Sequence, residues 1–144
     1  MDTKEESLRL LKEAEEDLGR AKQYSGLNDR ITTIHYAQLA IEKSAKAIIS
    51  CFEAFEWTHD PSGQLKKLVR KGLLNNDFLK IASYAKGAAP WHGRSAYGGL
   101  KKGAWRSPSE LCTEEDAMQL LHKARESVNM ATGFIENFWR TDER

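Results

Sequence analysis

The sequence has few cysteines and no long apolar run, and each shortage excludes a class of protein. Cys51 and Cys112 are the only cysteines among 144 residues, and their number and separation fit neither a disulfide scaffold nor a cysteine-based metal site. No apolar stretch approaches the roughly 18 residues that a membrane span needs. Residues 1–30 contain too many acidic side chains for a signal peptide. We therefore expect a reduced, cytoplasmic protein without a membrane segment.

Strand patterns are also lacking, because no segment alternates apolar and polar residues with a period of two. Three segments instead have apolar residues at intervals of three and four, which predicts amphipathic helices. The first should begin at Thr3, where Glu6 has the spacing of a capping box. The last should begin at Thr113, with Asp116 in the equivalent position. Between them, residues 30–57 predict a long central helix.

Within that central helix, Glu42 and Lys46 have the favourable i, i+4 order of an ion pair and are expected on its exposed side. Short helices should follow over residues 65–86. Residues 87–112 contain five of the ten glycines and two of the three prolines, which predicts a long loop. The expected fold is all-α, with one domain over residues 1–144. It is an up-and-down bundle of four to five helices with a long basic Gly/Trp-rich loop before the last helix.

Charge is distributed unevenly along the chain, although the net charge is only +1. Residues 61–109 contain ten lysines or arginines and one acidic residue, a net of +9; the remainder contains 12 basic and 20 acidic residues, a net of −8. Such asymmetry is typical of a segment that meets nucleic acid, a nucleotide or an acidic protein. The alternative is that folding mixes the two signs on an ordinary solvated surface.

The predicted loop combines three features of a nucleic-acid site. Aromatic rings can stack on bases, lysine and arginine neutralise phosphate, and glycine lets backbone N–H groups approach an anion. The glycine spacing matches no P-loop or dinucleotide fingerprint. Alternatively, the tryptophans anchor the loop on the bundle while the lysines remain in water. The candidate nucleotide- or RNA-binding residues are Trp91, His92, Arg94, Tyr97, Lys101, Lys102, Trp105 and Arg106.

The remaining histidines carry no evident chemistry in the sequence. His59 is interpreted as a turn or cap residue, His35 as a packing residue and His122 as a solvated side chain. Because the four histidines are dispersed, their spacing predicts no metal site, and no cofactor is expected.

The predicted central helix resembles a characteristic helix of the HEPN domain family. Residues 36–48 read YAQLAIEKSAKAI, and Thr58-His59-Asp60 followed by Leu65 and Leu68 resembles the next conserved step of that family. The resemblance covers roughly residues 5–140. It implies a helical bundle that forms a homodimer. It also implies a minimal nucleotidyltransferase as partner, with which many members form a toxin–antitoxin pair.

Many toxin members of that family cleave RNA through an Arg-x4–6-His motif, which this sequence lacks at the corresponding place. No histidine follows Arg94 at that distance, and His92 precedes it instead. Arg30 and His35 have a permitted spacing. On a helix, however, they project about 140° apart, because each residue turns roughly 100°, and we treat the match as coincidence.

The sequence therefore favours a non-enzymatic protein that binds nucleotide or RNA. Metal-independent cleavage needs a proton acceptor for the 2′-hydroxyl and a cation on the phosphate. One alternative is thus a ribonuclease toxin in which His92 and Arg94 form a displaced catalytic pair. The other is a protein-interaction module that makes no contact with nucleic acid.

Overall fold

Three long helices dominate the computed structural model, which describes residues 2–142. The elements in chain order are α1 (Thr3–Gly26), α2 (Arg30–Ile49), α3 (Ser62–Arg70), α4 (Leu79–Ala88), α5 (Trp91–Tyr97), β1 (Gly99–Lys101), β2 (Ala104–Arg106), α6 (Pro108–Leu111) and α7 (Glu114–Asp142). A short 3-10 turn, Asn76–Phe78, leads into α4. The predicted all-α bundle is confirmed, with one small hairpin added. Within residues 2–142, no helix combines the length and the apolar character that crossing a membrane requires.

The central helix is α2, which packs against α1, α7, α4 and α5. Ile34, Ile41 and Ile48 recur along it every seven residues and are fully buried. Burial of each such side chain stabilises the fold by about 1.5–3 kcal/mol. Ala37 and Ala40 are equally inaccessible, and small side chains of this kind let neighbouring helices approach closely. The core therefore surrounds α2, and polar groups on this helix lie close to several other elements.

At the starts of α1 and α7, side chains bind free backbone N–H groups. Asp2 caps α1 by accepting a hydrogen bond from the Glu5 N–H at 2.8 Å, so the capping box predicted at Thr3 is wrong by one residue. The prediction for α7 is confirmed. The Asp116 N–H donates to the Thr113 hydroxyl at 3.0 Å, and the Thr113 N–H donates to the Asp116 carboxylate at 3.4 Å.

The helix predicted to continue to residue 57 ends at Ile49. Aromatic residues beyond that point continue the helical spacing in the sequence, but they pack on the core from an irregular segment. Gln64 of α3 holds that segment in place. Its amide oxygen accepts from the Glu56 N–H, and its amide nitrogen donates to the Ala54 carbonyl, both at 2.9 Å. The chain consequently turns back toward α2 before α3 begins.

Residues 87–112, where the sequence pattern predicts a long loop, contain α5, the β1–β2 hairpin and α6. Lys102 and Gly103 form the hairpin turn with φ of 52° and 78°, the left-handed values of a two-residue type I′ turn. The four elements are only three to seven residues long, too short for periodicity to reveal them.

One contact packs this segment against itself, and another joins it to α2. At the end of α5, Gly98 has φ of 85°, and a Cβ there would lie 2.1 Å from the Arg106 carbonyl oxygen; only glycine allows that approach. The Arg30 guanidinium of α2 donates to the carbonyl oxygens of Cys112 at 2.9 Å and Ser109 at 3.3 Å. These bonds join the end of α6 to the first turn of α2.

Candidate functional site

Two histidine rings from distant parts of the chain lie stacked beside α2. His59, in the turn before α3, and His92, on α5, have ring centroids 3.7 Å apart and an angle of 20° between their planes. Glu42 of α2 adjoins both, because one carboxylate oxygen and one nitrogen from each ring lie within 4.8 Å of one another. We call Glu42, His59 and His92 the histidine cluster.

Hydrogen bonds from α2 orient every member of the histidine cluster. Glu42 Oε1 accepts from Gln38 Nε2 at 3.0 Å and faces His59 Nδ1 at 3.2 Å, while Oε2 accepts from Lys46 Nζ at 2.9 Å. Gln38 Oε1 faces His92 Nδ1 at 3.1 Å. Because carboxylate and amide oxygens only accept hydrogen bonds, each histidine donates from Nδ1. In the neutral form of either ring, the acceptor lone pair is therefore on Nε2.

The carboxylate beneath the two rings is buried, contrary to the sequence expectation. Glu42 and Lys46 are each only 7% exposed, because the segment after α2 folds back over them. Phe55 of that segment covers the Lys46 ammonium, with 5.1 Å from Nζ to the ring centroid. Burial lowers the pKa of His92, and the adjacent His59 lowers this pKa further. Its ring is accordingly neutral near pH 7.

A third histidine borders the cluster. The His35 ring of α2 lies 6.1 Å from the His92 ring, and its Nδ1 is 3.4 Å from the hydroxyl of Ser95, a buried residue of α5. Three of the four histidines thus converge where α2, α5 and the turn before α3 meet. His122 lies elsewhere, on α7, and pairs with Glu126 at the surface.

The other candidate surface is the basic hairpin, which we define as residues 97–106. Tyr97 is 78% exposed and Trp105 is 64% exposed. Leu100 lies opposite Trp105 in the strand register, so their side chains share one face of the hairpin. At Gly99, on the other face, an added Cβ would contact the side chains of α5 and α6. The Leu100–Trp105 face therefore points away from the bundle. The exposed basic residues of the hairpin are Lys101, Lys102 and Arg106.

The structure divides the eight predicted binding residues between two settings. Trp91 is half-buried against the core, and His92 bonds to Gln38 of α2. Arg94 lies over the Trp91 ring, with 5.5 Å from the guanidinium carbon to the centroid. His92 and Arg94 are two residues apart on α5 and so project about 160° apart. The remaining five predicted residues belong to the basic hairpin.

Comparison with known proteins agrees with the helical bundle described above. The model of the HEPN domain family matches residues 7–134, a range that includes most of α1, most of α7 and all the elements between them. The chain belongs to the HEPN domain family, whose functions involve nucleotides or RNA. No curated protein and no solved structure matches the chain.

Proposed function

We propose that the protein binds RNA or a nucleotide through the basic hairpin. One observation carries the proposal: two aromatic rings and three basic side chains within ten residues of chain are exposed together. Stacking of a base on an aromatic ring contributes about 1–3 kcal/mol. The ammonium groups of Lys101 and Lys102 can each neutralise a phosphate, whereas the Arg106 guanidinium lies 3.5 Å from the Glu110 carboxylate. Membership of the HEPN family supports a nucleotide- or RNA-related role.

The shape of the hairpin favours a single-stranded ligand. Its outward face presents Trp105 beside Leu100, and Lys101, at the end of β1, and Lys102, in the turn, follow directly. A base can stack on the indole ring only when it is unpaired and turned out of a helix. The backbone of the same strand would then pass the two ammonium groups. Base pairs in a duplex do not present such free ring faces, so we expect weaker binding to double-stranded RNA.

Titration of the purified protein with labelled single-stranded RNA, and separately with a nucleotide, tests the proposal. Fluorescence anisotropy should show saturable binding that weakens as salt rises. Trp105→Ala should lower the affinity for RNA by a factor of about 5–150, the equivalent of one lost stacking contact. The matched control is Trp57→Ala, since Trp57 is 94% exposed but precedes α3. Absence of saturable binding at low salt, or equal losses in both variants, would refute the proposal.

RNA cleavage by His92 with Arg94 is the second candidate function. The lowered pKa of His92 favours it, because a ring that is neutral near pH 7 can accept a proton from a 2′-hydroxyl. The separation of the two side chains around α5 opposes it. Prolonged incubation of RNA with the protein distinguishes the two functions. Cleavage that is lost in both His92→Ala and Arg94→Ala would establish the second, and intact RNA would exclude it.

We further propose that the protein works in the cytoplasm as a homodimer, in a toxin–antitoxin pair with a nucleotidyltransferase-like protein. The resemblance to the HEPN family supports both associations. Light scattering during size-exclusion chromatography should give twice the monomer mass of 16.3 kDa. Co-expression with the product of the neighbouring gene should yield a stable complex. If only that complex forms, and RNA has no effect on either protein, the chain is a protein-interaction module.

A further inference from the structure

We propose that the histidine cluster binds one divalent transition-metal ion of the Zn²⁺ type. One potential ligand atom from each of Glu42, His59 and His92 lies within 4.8 Å of the other two. A carboxylate with two imidazoles is a donor set that suits Zn²⁺, and three protein ligands leave a fourth position for water. The residues are far apart in the sequence, so only the fold assembles this set.

The separation of two of the ligand atoms already matches coordination of one ion. His59 Nδ1 lies 3.2 Å from Glu42 Oε1. Two ligands about 2.0–2.1 Å from a tetrahedral zinc ion are roughly 3.3 Å from each other. Without the ion, His59 Nδ1 donates a hydrogen bond to Glu42 Oε1 across this distance. When the ion binds, the proton of the neutral ring moves to Nε2, and the Nδ1 lone pair faces the metal.

A buried amide orients the other two ligands. Gln38 is only 1% exposed. Its Oε1 faces His92 Nδ1 at 3.1 Å, and its Nε2 donates to Glu42 Oε1 at 3.0 Å. This arrangement keeps the proton of His92 on Nδ1 and leaves Nε2 to bind the ion. Metal-binding histidines typically donate their second ring nitrogen to a carbonyl or carboxylate oxygen in this way.

Two features limit the expected affinity. The Lys46 ammonium, 2.9 Å from Glu42 Oε2, reduces the attraction of the carboxylate for a cation. The planes of the two stacked rings are only 20° apart, and each nitrogen lone pair lies in the plane of its ring, so one ring must tilt for both to reach the same ion. His59 can do so, because its side chain is 60% exposed and lies on a turn. We therefore expect weaker binding than at a structural zinc site with four ligands.

The experiment uses full-length, tag-free protein that has been treated with a chelator and then titrated with Zn²⁺ by calorimetry. We expect one ion per chain and a higher melting temperature in the presence of zinc, because the folded state alone presents the site. Titration with Co²⁺ should give the intense visible absorption of tetrahedral coordination. His59→Ala and His92→Ala should each lower the affinity for Zn²⁺ at least about tenfold. The matched control is His122→Ala, which removes a surface histidine and should leave the affinity unchanged.

Circular dichroism and melting of each variant without metal separate a lost ligand from a lost fold. If His92→Ala does not fold, the comparison of His59→Ala with His122→Ala decides the question, since both remove exposed rings. The proposal is overturned if the unaltered protein binds no Zn²⁺, or if folded His59→Ala binds Zn²⁺ as tightly as the unaltered protein. It is also overturned if His122→Ala is the variant that loses binding. None of these readouts requires RNA, so the outcome is independent of the function proposed for the basic hairpin.

Discussion

Replacing Lys101 and Lys102 together with glutamine is expected to make RNA binding less sensitive to salt. Both side chains are exposed at the end of the hairpin, and within residues 2–142 neither takes part in an ion pair. Both charges are therefore available to phosphate. Each phosphate that a lysine neutralises on a single strand contributes about −0.7 to the slope of log affinity against log salt concentration. Loss of two such contacts should make this slope less steep by about 1.4.

The size of the effect is measurable over an ordinary range of salt. When the salt concentration rises from about 50 mM to 200 mM, the fold loss of affinity should be roughly seven times larger for the unaltered protein than for the double variant. Anisotropy titrations with one labelled RNA at four salt concentrations give the slope. The matched control is the double variant Lys66→Gln and Lys67→Gln, which removes the same charge from adjacent lysines of α3. The reasoning fails if both double variants have the same slope, because the basic hairpin would then contribute no more than general charge.

Two further predictions concern the stability of the fold. Gly98→Ala should destabilise the protein by at least about 1–3 kcal/mol, because its Cβ would meet the Arg106 carbonyl at 2.1 Å. The control is Gly93→Ala within α5, where an added Cβ meets nothing within 4 Å, and equal melting temperatures would contradict the prediction. Burial raises the pKa of the Cys51 thiol to about 11, from an ordinary value of 9.0. The unfolded thiol therefore ionises first, and the free energy of unfolding should fall as pH rises from about 9 to about 11. Denaturant titrations should show a smaller decline in Cys51→Ala, and an identical decline would contradict this.

The long helices could be predicted from the sequence because their apolar residues repeat over many turns. Thr113 and Asp116 identified the start of α7 because a cap is a local feature, in which residues three apart satisfy each other. The end of α2 could not be predicted in the same way. The irregular segment beyond it is held by hydrogen bonds from Gln64, which lies in the next helix, α3.

The two candidate sites also differ in how far they could be predicted from the sequence. The basic hairpin is a single stretch of sequence, so its rings and charges were evident before its structure was known. The histidine cluster joins three separate segments, and nothing local connects Glu42 with His59 or His92. The i, i+4 spacing of Glu42 and Lys46 misled the prediction, because this spacing is the same for an ion pair in water and for one under a covering segment.

The polar side chains of α2 beneath the two stacked histidine rings are regularly spaced. Gln38, Glu42 and Lys46 are four residues apart on α2, so a single length of helix fixes their relative positions. His59 is the one member of the histidine cluster that lies outside a helix. Inserting or deleting a residue between Ile49 and Ser62 would thus shift the His59 imidazole and leave the three polar side chains of α2 in place. That linker is therefore the place where protein engineering could change the geometry of the histidine cluster without altering the residues of α2.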